Sequence, residues 1–383
     1  MNKLLEIKDL VTNFYTYEGV VKAINQVSLE IEKDIVFGLV GESGCGKSVT
    51  ARSVMRIIQP PGVIEGGEIH FYNDKNDGEK SVDLLQQDEQ FMQKLRGSSI
   101  SMIFQEPNLA LNPVLSIGYQ IAESFLFHQK QNMSQAVLKD LQNNEYRILP
   151  LLRGFLIWCY AKSLEADKSG SLNLINKIPL LKNWDYLLHA EAKKRSLVIL
   201  EKLGIANVER IFDAYPHNLS GGMKQRIVIA LALACHPVLL IADEATSNLD
   251  VTVQAQILEL LIELKKDTIS SIILITHDLG IVAETCDRAG VMYAGNVCEV
   301  ADVNELFNNP RHPYTKALLN SVPKFTQKDK LETIPGFVPN LVTPPSGCRF
   351  HPRCPECFDL CKTRTPVLQD IKQRHQVACH LYD

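Results

Sequence analysis

The string GESGCGKS at residues 41–48 constrains the fold of this 383-residue chain more than any other feature, because it fits the pattern G-x-x-x-x-G-K-S. An unbroken apolar run of strand length, residues 35–40, leads into the string, and residues 47–58 then have helical periodicity. A strand, a glycine-rich loop and a helix in this order surround phosphate oxygens with main-chain N–H groups and the positive end of a helix. We therefore expect a phosphate loop that binds a nucleoside triphosphate, in a parallel α/β sheet.

Each position of this loop has an expected role. Lys47 is expected to reach the β- and γ-phosphates, and the hydroxyl of Ser48 is expected to coordinate Mg²⁺. Cys45 lies at a helix N-terminus, which lowers a thiol pKa, so we expect a reactive thiol that a maleimide labels and bound ATP protects. The other residues expected to contact the nucleotide are Gly41, Ser43, Gly44, Gly46 and Val49.

Polar side chains also follow other predicted strands at the points where those strands end. Asp243 and Glu244 follow one buried strand; the first carboxylate is expected to hold Mg²⁺ and the second to orient or deprotonate the attacking water. His277 follows another strand and is expected to contact the γ-phosphate and the water. Gln105 ends the segment SISMIFQ, where its amide would contact Mg²⁺ or the water. Because carboxyl ends of parallel strands share one edge, these residues are expected to meet there.

The string LSGGMKQR at residues 219–226 predicts a second anion-binding helix start, capped by a serine. It cannot serve the nucleotide of the same chain's phosphate loop without an unusual fold. A head-to-tail pair of such chains is the simpler geometry, in which each phosphate loop faces the serine and glycines of the other subunit. The residues expected at this seam are Ser220, Gly221, Gly222, Gln225 and Asp250.

Composition excludes several classes of protein. The formal net charge of −4 gives no support to nucleic-acid binding, and no apolar run reaches the ~18–20 residues that span a bilayer. No secretory signal is recognisable, so we expect a soluble chain in a reducing compartment, whose contact with a membrane goes through a partner. Five of the ten cysteines lie after residue 347. In such a compartment, clustered cysteines hold a metal more often than they form disulfides.

Taken together, these strings resemble the ATP-binding subunits of ABC transporters over residues 4–300. The resemblance implies a P-loop core with an antiparallel β edge and a helical subdomain at about 107–235. It identifies Gln105 as the Q-loop residue, residues 219–225 as the signature and His277 as the switch histidine. It also implies that an aromatic residue stacks on adenine, for which Tyr17 is preferred. The other two aromatic candidates are Tyr15 and Phe14.

Four further strings resemble the oligopeptide/dipeptide importer branch of that family: MIFQEPNLALNP, ADEATSNLDVTVQAQIL, NPRHPYTKALLNSVP and GCRFHPRC. The resemblance implies an ATPase domain over residues 1–300 and a C-terminal extension over 301–383. It implies peptide import with a second, homologous ATPase subunit as a heterodimer, two transmembrane permease subunits and an extracytoplasmic solute-binding protein. The chain would then lie at the cytoplasmic face of the membrane. Import of nickel or another small solute is the alternative, and a soluble non-transport ABC ATPase is the rival outside transport.

The cysteine cluster at residues 348–379 has two interpretations. In members of the branch with this loop-rich tail, four cysteines hold a [4Fe-4S] cluster, and the matching positions are Cys348, Cys354, Cys361 and Cys379. Cys357 is an additional cysteine, which leaves the choice of four ligands open. Zinc is the alternative metal, with three histidines as possible partners. These histidines are His351, His375 and His380.

The sequence departs from the family pattern near the catalytic acid and in the helical region. Members usually have proline where Ala245 stands and a small residue where Asn248 stands. Residues 137–186 have no recognisable counterpart and are expected to form an insertion. Its helices either pack on their own subdomain or expose an apolar patch that docks a partner or the membrane surface. The residues of that patch would be Phe155, Leu156, Trp158 and Tyr160.

Overall fold

The computed structural model divides the chain into two units. The residues it describes are 3–72, 81–146, 148–164, 184–245, 250–267, 269–321 and 334–383. The first unit comprises residues 1–96, 100–105 and 237–383, and the second comprises residues 97–99 and 106–236. The sequence positions of the phosphate loop, the strand-end acids and the C-terminal tail all belong to the first unit, whereas the LSGGMKQR string belongs to the second.

The strands are β1 Lys3–Thr16, β2 Gly19–Glu32, β3 Val36–Val40, β4 Gly62–Phe71, β5 Val82–Asp83, β6 Ile100–Ile103, β7 Leu239–Asp243, β8 Ser271–Ile275, β9 Arg288–Tyr293, β10 Asn296–Asp302, β11 Gln369–Lys372 and β12 His375–Val377. The α-helices of the described residues are α1 Lys47–Val54, α2 Glu89–Leu95, α3 Pro107–Ala110, α4 Ile117–His128, α5 Lys130–Gln142, α6 Pro150–Leu164, α7 Tyr186–Lys202, α8 Val208–Asp213, α9 Gly221–Leu233, α10 Val251–Asp267, α11 Leu279–Thr285, α12 Val303–Asn308, α13 Pro313–Asn320 and α14 Asp359–Thr363.

The central sheet of the first unit has eight strands in the order β11-β12-β10-β9-β3-β8-β7-β6. The five strands from β9 to β6 run parallel, and every residue of β3, β7, β8 and β9 is buried. Their continuous apolar sequences are typical of strands covered on both faces. The predicted parallel α/β sheet is therefore confirmed, and the carboxyl ends of β3, β6, β7 and β8 lie at one edge.

The antiparallel edge predicted near the N-terminus is a separate four-stranded sheet with the order β2-β1-β4-β5. Its long hairpin β1–β2 places an apolar face against the central sheet and α1. The resulting core includes Leu5, Ile24, Phe37, Val54 and Ile241, each no more than 1% exposed. Burying a side chain of this size contributes roughly 1.5–3 kcal/mol, so this core fixes the strand that leads into the phosphate loop.

The C-terminal tail combines loops with short strands and helices. Strand β12 pairs antiparallel with β10 and β11 pairs with β12, so the tail extends the central sheet at its edge. Phe350 is also buried, with its ring centroid 5.1 Å from that of Tyr293 and 5.3 Å from that of Tyr314. The tail is therefore rich in loops, as expected, and main-chain pairing and aromatic packing hold these loops against the sheet.

The second unit is helical, and it corrects the predicted apolar patch. Leu156 and Tyr160 on α6 are 1% and 0% exposed. The Tyr160 hydroxyl accepts a hydrogen bond from the Leu188 N–H at 3.1 Å, and its ring lies edge-on to Trp184. These side chains pack within their own unit, so the patch prediction is wrong for both, although Trp158 is exposed. Residues 147 and 165–183 of the predicted insertion lie outside the described residues.

Candidate functional site

The phosphate loop adopts a backbone that requires glycine at specific points. Gly41 and Gly46 have φ angles of 150° and 104°, which side chains of L-residues disfavour. A Cβ atom at Gly41 would also collide with the carbonyl oxygen of Met292 on the neighbouring strand β9. The loop therefore turns sharply between β3 and α1, as the predicted strand–loop–helix context requires.

Lys47 lies inside this loop rather than in solvent. Its side-chain nitrogen donates to the carbonyl oxygens of Gly41 at 2.8 Å and Glu42 at 3.1 Å, and the residue is only 5% exposed. The loop's own carbonyls thus hold the ammonium group at its centre. A fixed positive charge in this position can neutralise phosphate oxygens that approach the loop.

Cys45 differs from its expected behaviour. It is fully buried, and burial raises the pKa of its thiol, an effect that outweighs the nearby Lys47 ammonium 3.6 Å away. The raised pKa is opposite to the expected one, because desolvation disfavours the thiolate more than the helix terminus and one nearby cation favour it. Labelling of this thiol stays a prediction. Any contact between Cys45 and nucleotide would use its main chain.

Ser48 and Asp243, two of the three residues predicted to hold Mg²⁺, are hydrogen-bonded to each other, whereas the third, Gln105, bonds to Glu244. The Ser48 hydroxyl donates to Oδ1 of Asp243 at 2.7 Å. Burial raises the pKa of Asp243, and its Oδ2 atom has no hydrogen-bond partner among the residues that the structure describes. Buried carboxylate oxygens are normally paired, so this arrangement fits a hard cation that prefers oxygen ligands.

Glu244 lies between two other predicted residues. The Gln105 side chain donates from Nε2 to Glu244 Oε2 at 2.6 Å, and His277 Nδ1 lies 3.5 Å from Oε1. The Glu244 backbone has a φ of 46° and its N–H donates to Ile275 on β8, which fixes the turn that directs the side chain. The carboxylate, amide and imidazole therefore meet at the carboxyl ends of β6, β7 and β8. The neighbouring Ala245 is buried, and Asn248 lies outside the described residues.

The LSGGMKQR string opens α9 as predicted. Ser220 is the N-cap residue, and its hydroxyl accepts from the Met223 N–H at 3.4 Å. Gly221 and Gly222 form the first turn, where N–H groups of a helix have no intrahelical partner. Gln225 is 1% exposed, and its Nε2 has no hydrogen-bond partner within the described ranges.

The remaining predicted contacts are Asp250 at the seam and one of three aromatic residues at the adenine. Asp250 accepts from the Val253 N–H at 3.0 Å through Oδ1, at the start of α10. Tyr17 is 98% exposed in the turn between β1 and β2, whereas the Tyr15 hydroxyl bonds to Glu65. Phe14 packs against Gly62. Of the three aromatics, Tyr17 is the most accessible to a planar base, and its role stays a prediction.

The four cysteines matched to metal ligands line a single pocket of the tail, together with three histidines. The cysteines are Cys348, Cys354, Cys361 and Cys379, and the histidines are His312, His351 and His380. Cys357 is not among the lining residues, and its sulfur lies 3.7 Å from the Phe358 carbonyl oxygen. Among the described residues, no group of three or more Cys, His, Asp or Glu side chains is arranged to hold a metal ion. The structure therefore brings the thiols into one pocket without showing a metal site.

Two of the histidines considered as zinc partners are engaged elsewhere. His375 is buried on β12 and pairs with Glu299 at 2.7 Å. His380 uses one ring nitrogen with Asp383 at 2.6 Å and the other with the Arg364 carbonyl at 2.8 Å. Of the three candidate histidines, only His351 therefore remains beside the four thiols as a possible ligand in the pocket.

Sequence reasoning missed two residues that contact the phosphate loop. Tyr314 and Arg353 come from the strings HPYTKALL and GCRFHPRC, and both contact Glu42. The strings were recognised as a family resemblance, but nothing in one sequence shows that segments about 300 residues apart meet at this loop.

Comparisons with known proteins match both the N-terminal part of the chain, which contains the phosphate loop, and the C-terminal extension. A family model described as ABC transporter matches residues 24–247, and one described as the oligopeptide/dipeptide transporter C-terminal region matches residues 298–361. The chain is 40% identical to the probable peptide ABC transporter ATP-binding protein y4tR of Sinorhizobium fredii, with 98% of this chain and 94% of the relative covered. It is also 40% identical to the oligopeptide transport ATP-binding protein AppD of Bacillus subtilis, with 100% and 98% covered.

The fold has a solved counterpart. The dimeric structure of the ATP-binding cassette MJ0796 bound to ADP and Pi covers 78% of this chain and 99% of its own, with a TM-score of 0.54 and 22% identity. At that identity the likeness concerns the fold alone. No helix of the described ranges is long and apolar enough to cross a membrane. By its family models and full-length relatives, the chain belongs to the oligopeptide/dipeptide branch of the ABC transporter ATP-binding subunits, and it is an ATPase.

Proposed function

We propose that this ABC ATPase couples ATP hydrolysis to the uptake of oligopeptides or dipeptides. The main support is that the groups needed for hydrolysis lie at one edge of the sheet. Ser48 contacts Asp243 there, and both Gln105 and His277 contact Glu244. The peptide-transport names of relatives that match the whole length of the chain support the solute class. Import of nickel or another small solute is the alternative.

In this proposal, Glu244 accepts the proton of the attacking water. Gln105 aims the carboxylate through its 2.6 Å hydrogen bond, and His277 lies beside it, where it can contact the γ-phosphate. Lys47 and the N–H groups of the loop bind the phosphates. Ser48 and Asp243 would hold Mg²⁺, with Gln105 nearby, and the ion would neutralise charge on the β- and γ-phosphate oxygens.

The site is completed by a second subunit in this proposal. The exposed helix start at Ser220, Gly221 and Gly222 has the chemistry to bind phosphate of a nucleotide held by another chain. Gln225 and Asp250 would lie near the seam. A homologous partner that forms a heterodimer is proposed, and ATP between the two chains would close the pair until hydrolysis reopens it.

The remaining partners follow from the proposed transport. Two transmembrane permease subunits would hold the chain at the cytoplasmic face of the membrane, and an extracytoplasmic solute-binding protein would deliver the solute. The ATPase would not touch the solute, so its conformational cycle must act on the permeases.

We also propose that the cysteine pocket holds a [4Fe-4S] cluster through Cys348, Cys354, Cys361 and Cys379. The support is that these thiols line one pocket and that His380 has both ring nitrogens occupied. Zinc bound by the same thiols is the alternative. The proposed role is that of a structural staple of the tail.

Uptake measured in cells tests the transport proposal. A strain that depends on this chain for a labelled dipeptide should lose uptake with Lys47→Ala, and the purified wild-type complex should contain permeases and a solute-binding protein. Nickel uptake in the same strain is the parallel arm. Normal dipeptide uptake without the chain, combined with lost nickel uptake, would assign the alternative solute.

A further inference from the structure

Glu42, the second residue of the phosphate loop, is held by the C-terminal extension. The Arg353 guanidinium donates to its carboxylate twice, from Nη1 to Oε2 at 2.8 Å and from Nη2 to Oε1 at 3.2 Å. Such two-point pairing fixes the orientation of both groups as well as their separation. Arg353 immediately precedes Cys354, so the contact joins the cysteine segment to the phosphate loop.

Arg353 is itself fixed before it reaches Glu42. Its Nε donates to the Pro335 carbonyl at 2.9 Å, Nη2 donates to the Ile334 carbonyl at 3.3 Å, and Nη1 donates to the Tyr293 hydroxyl at 3.2 Å. The side chain is only 6% exposed. A guanidinium held at this many points loses little additional freedom when it binds a carboxylate.

A second contact from the extension holds the main chain of Glu42. The Tyr314 hydroxyl accepts a hydrogen bond from the Glu42 N–H at 3.0 Å. Tyr314 is fully buried, and its ring packs 4.6 Å from that of Tyr293, measured between centroids. The packing of these two rings therefore holds the Tyr314 hydroxyl in place.

These contacts leave the Glu42 carbonyl directed into the loop. That oxygen accepts from Lys47 Nζ at 3.1 Å and from the Cys45 N–H at 3.3 Å. Each polar group of Glu42 therefore has a partner: the extension takes the carboxylate and the N–H, and the loop takes the carbonyl. The lysine expected to bind phosphate is therefore held in part by Glu42, together with the carbonyl of Gly41.

We propose that Arg353 and Tyr314 are positioning residues for ATP, which act through Glu42 to hold the phosphate loop in its binding conformation. The inference rests on the proposed assignment of residues 41–48 as the ATP phosphate loop. A loop already ordered in the binding conformation pays less conformational entropy when ATP binds, so loss of the contacts weakens affinity. The C-terminal extension thereby influences the ATP affinity of the phosphate loop through Glu42.

ATP affinity of the purified full-length chain tests this inference. Arg353→Gln and Tyr314→Phe should each raise the Kd for ATP about 5- to 30-fold, the range expected for loss of a half-buried charge-assisted contact. In the assembled complex, KM for ATP should rise by a similar factor while kcat changes less than about 2-fold. Lys372→Gln is the matched control, since it removes a tail cation whose exposed pair with Glu305 lies away from Glu42. It should leave both constants unchanged.

A double-mutant cycle and a second readout separate positioning from simple stabilisation. Glu42→Gln should raise the Kd as Arg353→Gln does, and the double variant should be no weaker than either single variant. By linkage, ATP should slow hydrogen exchange in residues 348–354 of the wild type but not of Glu42→Gln. Tyr314→Phe keeps the ring packing, so it remains informative if Arg353→Gln fails to fold.

The outcomes distinguish this inference from the proposed function. Wild-type affinities in folded Tyr314→Phe and Glu42→Gln would overturn the positioning role, provided that Lys47→Ala abolishes binding. Lys47→Ala with undiminished ATP binding would instead overturn the assignment of the loop. A KM unchanged while kcat alone falls would also contradict the inference, because positioning of the loop acts on binding.

Discussion

The nucleotide edge is the edge of the central sheet at the carboxyl ends of β3, β6, β7 and β8. Its residues and those of the cysteine pocket in the tail are brought together in different ways. At the nucleotide edge, the functional side chains follow parallel strands and already partner one another, as Ser48 does with Asp243 and Gln105 with Glu244. In the tail, the thiols come from turns and short helices, and burial raises the pKa of Cys348 to about 11 and of Cys354 to about 12. The first site is held by hydrogen bonds between its charged and polar side chains, whereas burial in the second raises the pKa of these two thiols.

This difference shows what sheet topology can and cannot fix. The residues that follow parallel strands lie at one edge whatever their side chains are, so the proposed catalytic groups meet as a consequence of strand order. Thiols on irregular segments have no such constraint, and a metal must displace their protons before it binds. We therefore expect the proposed metal to hold the tail segments together, whereas the residues of the nucleotide edge are already in place without Mg²⁺.

The largest expected effect is complete loss of metal from the tail. Cys348→Ser or Cys379→Ser should abolish iron and acid-labile sulfide in anaerobically purified protein, because each removes one of four thiolates. Cys357→Ser is the matched control and should keep the metal, since Cys357 does not line the pocket. Stoichiometric zinc without iron in the wild type would replace the cluster with the zinc alternative. Iron retained by Cys348→Ser but lost by Cys357→Ser would show that Cys357, and not Cys348, is a ligand.

The next largest effect belongs to the nucleotide edge. Glu244→Gln should cut ATP hydrolysis by roughly 10²–10⁴-fold and leave ATP binding intact, because the amide cannot accept the proton of the attacking water. Phosphate release and nucleotide binding measure the two properties separately. Glu284→Gln, an exposed carboxylate on α11, is the control and should hydrolyse at the wild-type rate. Near wild-type turnover by Glu244→Gln would remove Glu244 from the mechanism.

The same contrast explains which features could be predicted from the sequence. The sheet and its catalytic edge were predictable because apolar strands followed by Asp243 or His277 carry the information locally. Burial of Cys45 was not predictable, because it depends on packing against residues far away in the chain, and the sequence alone did not decide between burial and exposure of Leu156 and Tyr160. The contact between Glu42 and Arg353 joins positions 311 residues apart, and no periodicity or spacing encodes it.

A smaller effect concerns the way the extension is held to the sheet. Glu299 is fully buried, and its carboxylate accepts from the N–H groups of Arg311 and His312 at 2.7 and 2.9 Å as well as from His375. Burial alone would raise the pKa of Glu299, but the hydrogen bonds from His375 and the two N–H groups outweigh it and lower the pKa below its usual 4.5. The charged form is therefore favoured in the folded state.

This balance predicts a stability that depends on pH. Because the folded pKa is lowered, the contribution of Glu299 is fully present above the unfolded pKa and is lost as pH falls through the folded value. Glu299→Gln should lower the free energy of unfolding by about 2–4 kcal/mol at pH 7, since it leaves buried donors poorly paired. It should also flatten the acid dependence below about pH 4.5. Urea unfolding at pH 7, about 4.5 and about 3 measures both, with exposed Asp370→Asn as a control expected within about 0.5 kcal/mol of wild type. An equally steep acid dependence in Glu299→Gln would exclude this carboxylate as its source.

The smallest expected effect compares one thiol from each region. Cys45 is buried in the phosphate loop with a raised pKa, whereas Cys357 is partly exposed in the tail outside the cysteine pocket. Since the exposed thiolate is the species that reacts, a maleimide should label Cys357 at least about 10-fold faster than Cys45, with or without ATP. Peptide mapping by mass spectrometry after short labelling times measures both rates in one sample. Rapid labelling of Cys45 that ATP suppresses would show that the loop opens in solution, and the two regions would then differ less than their geometry indicates.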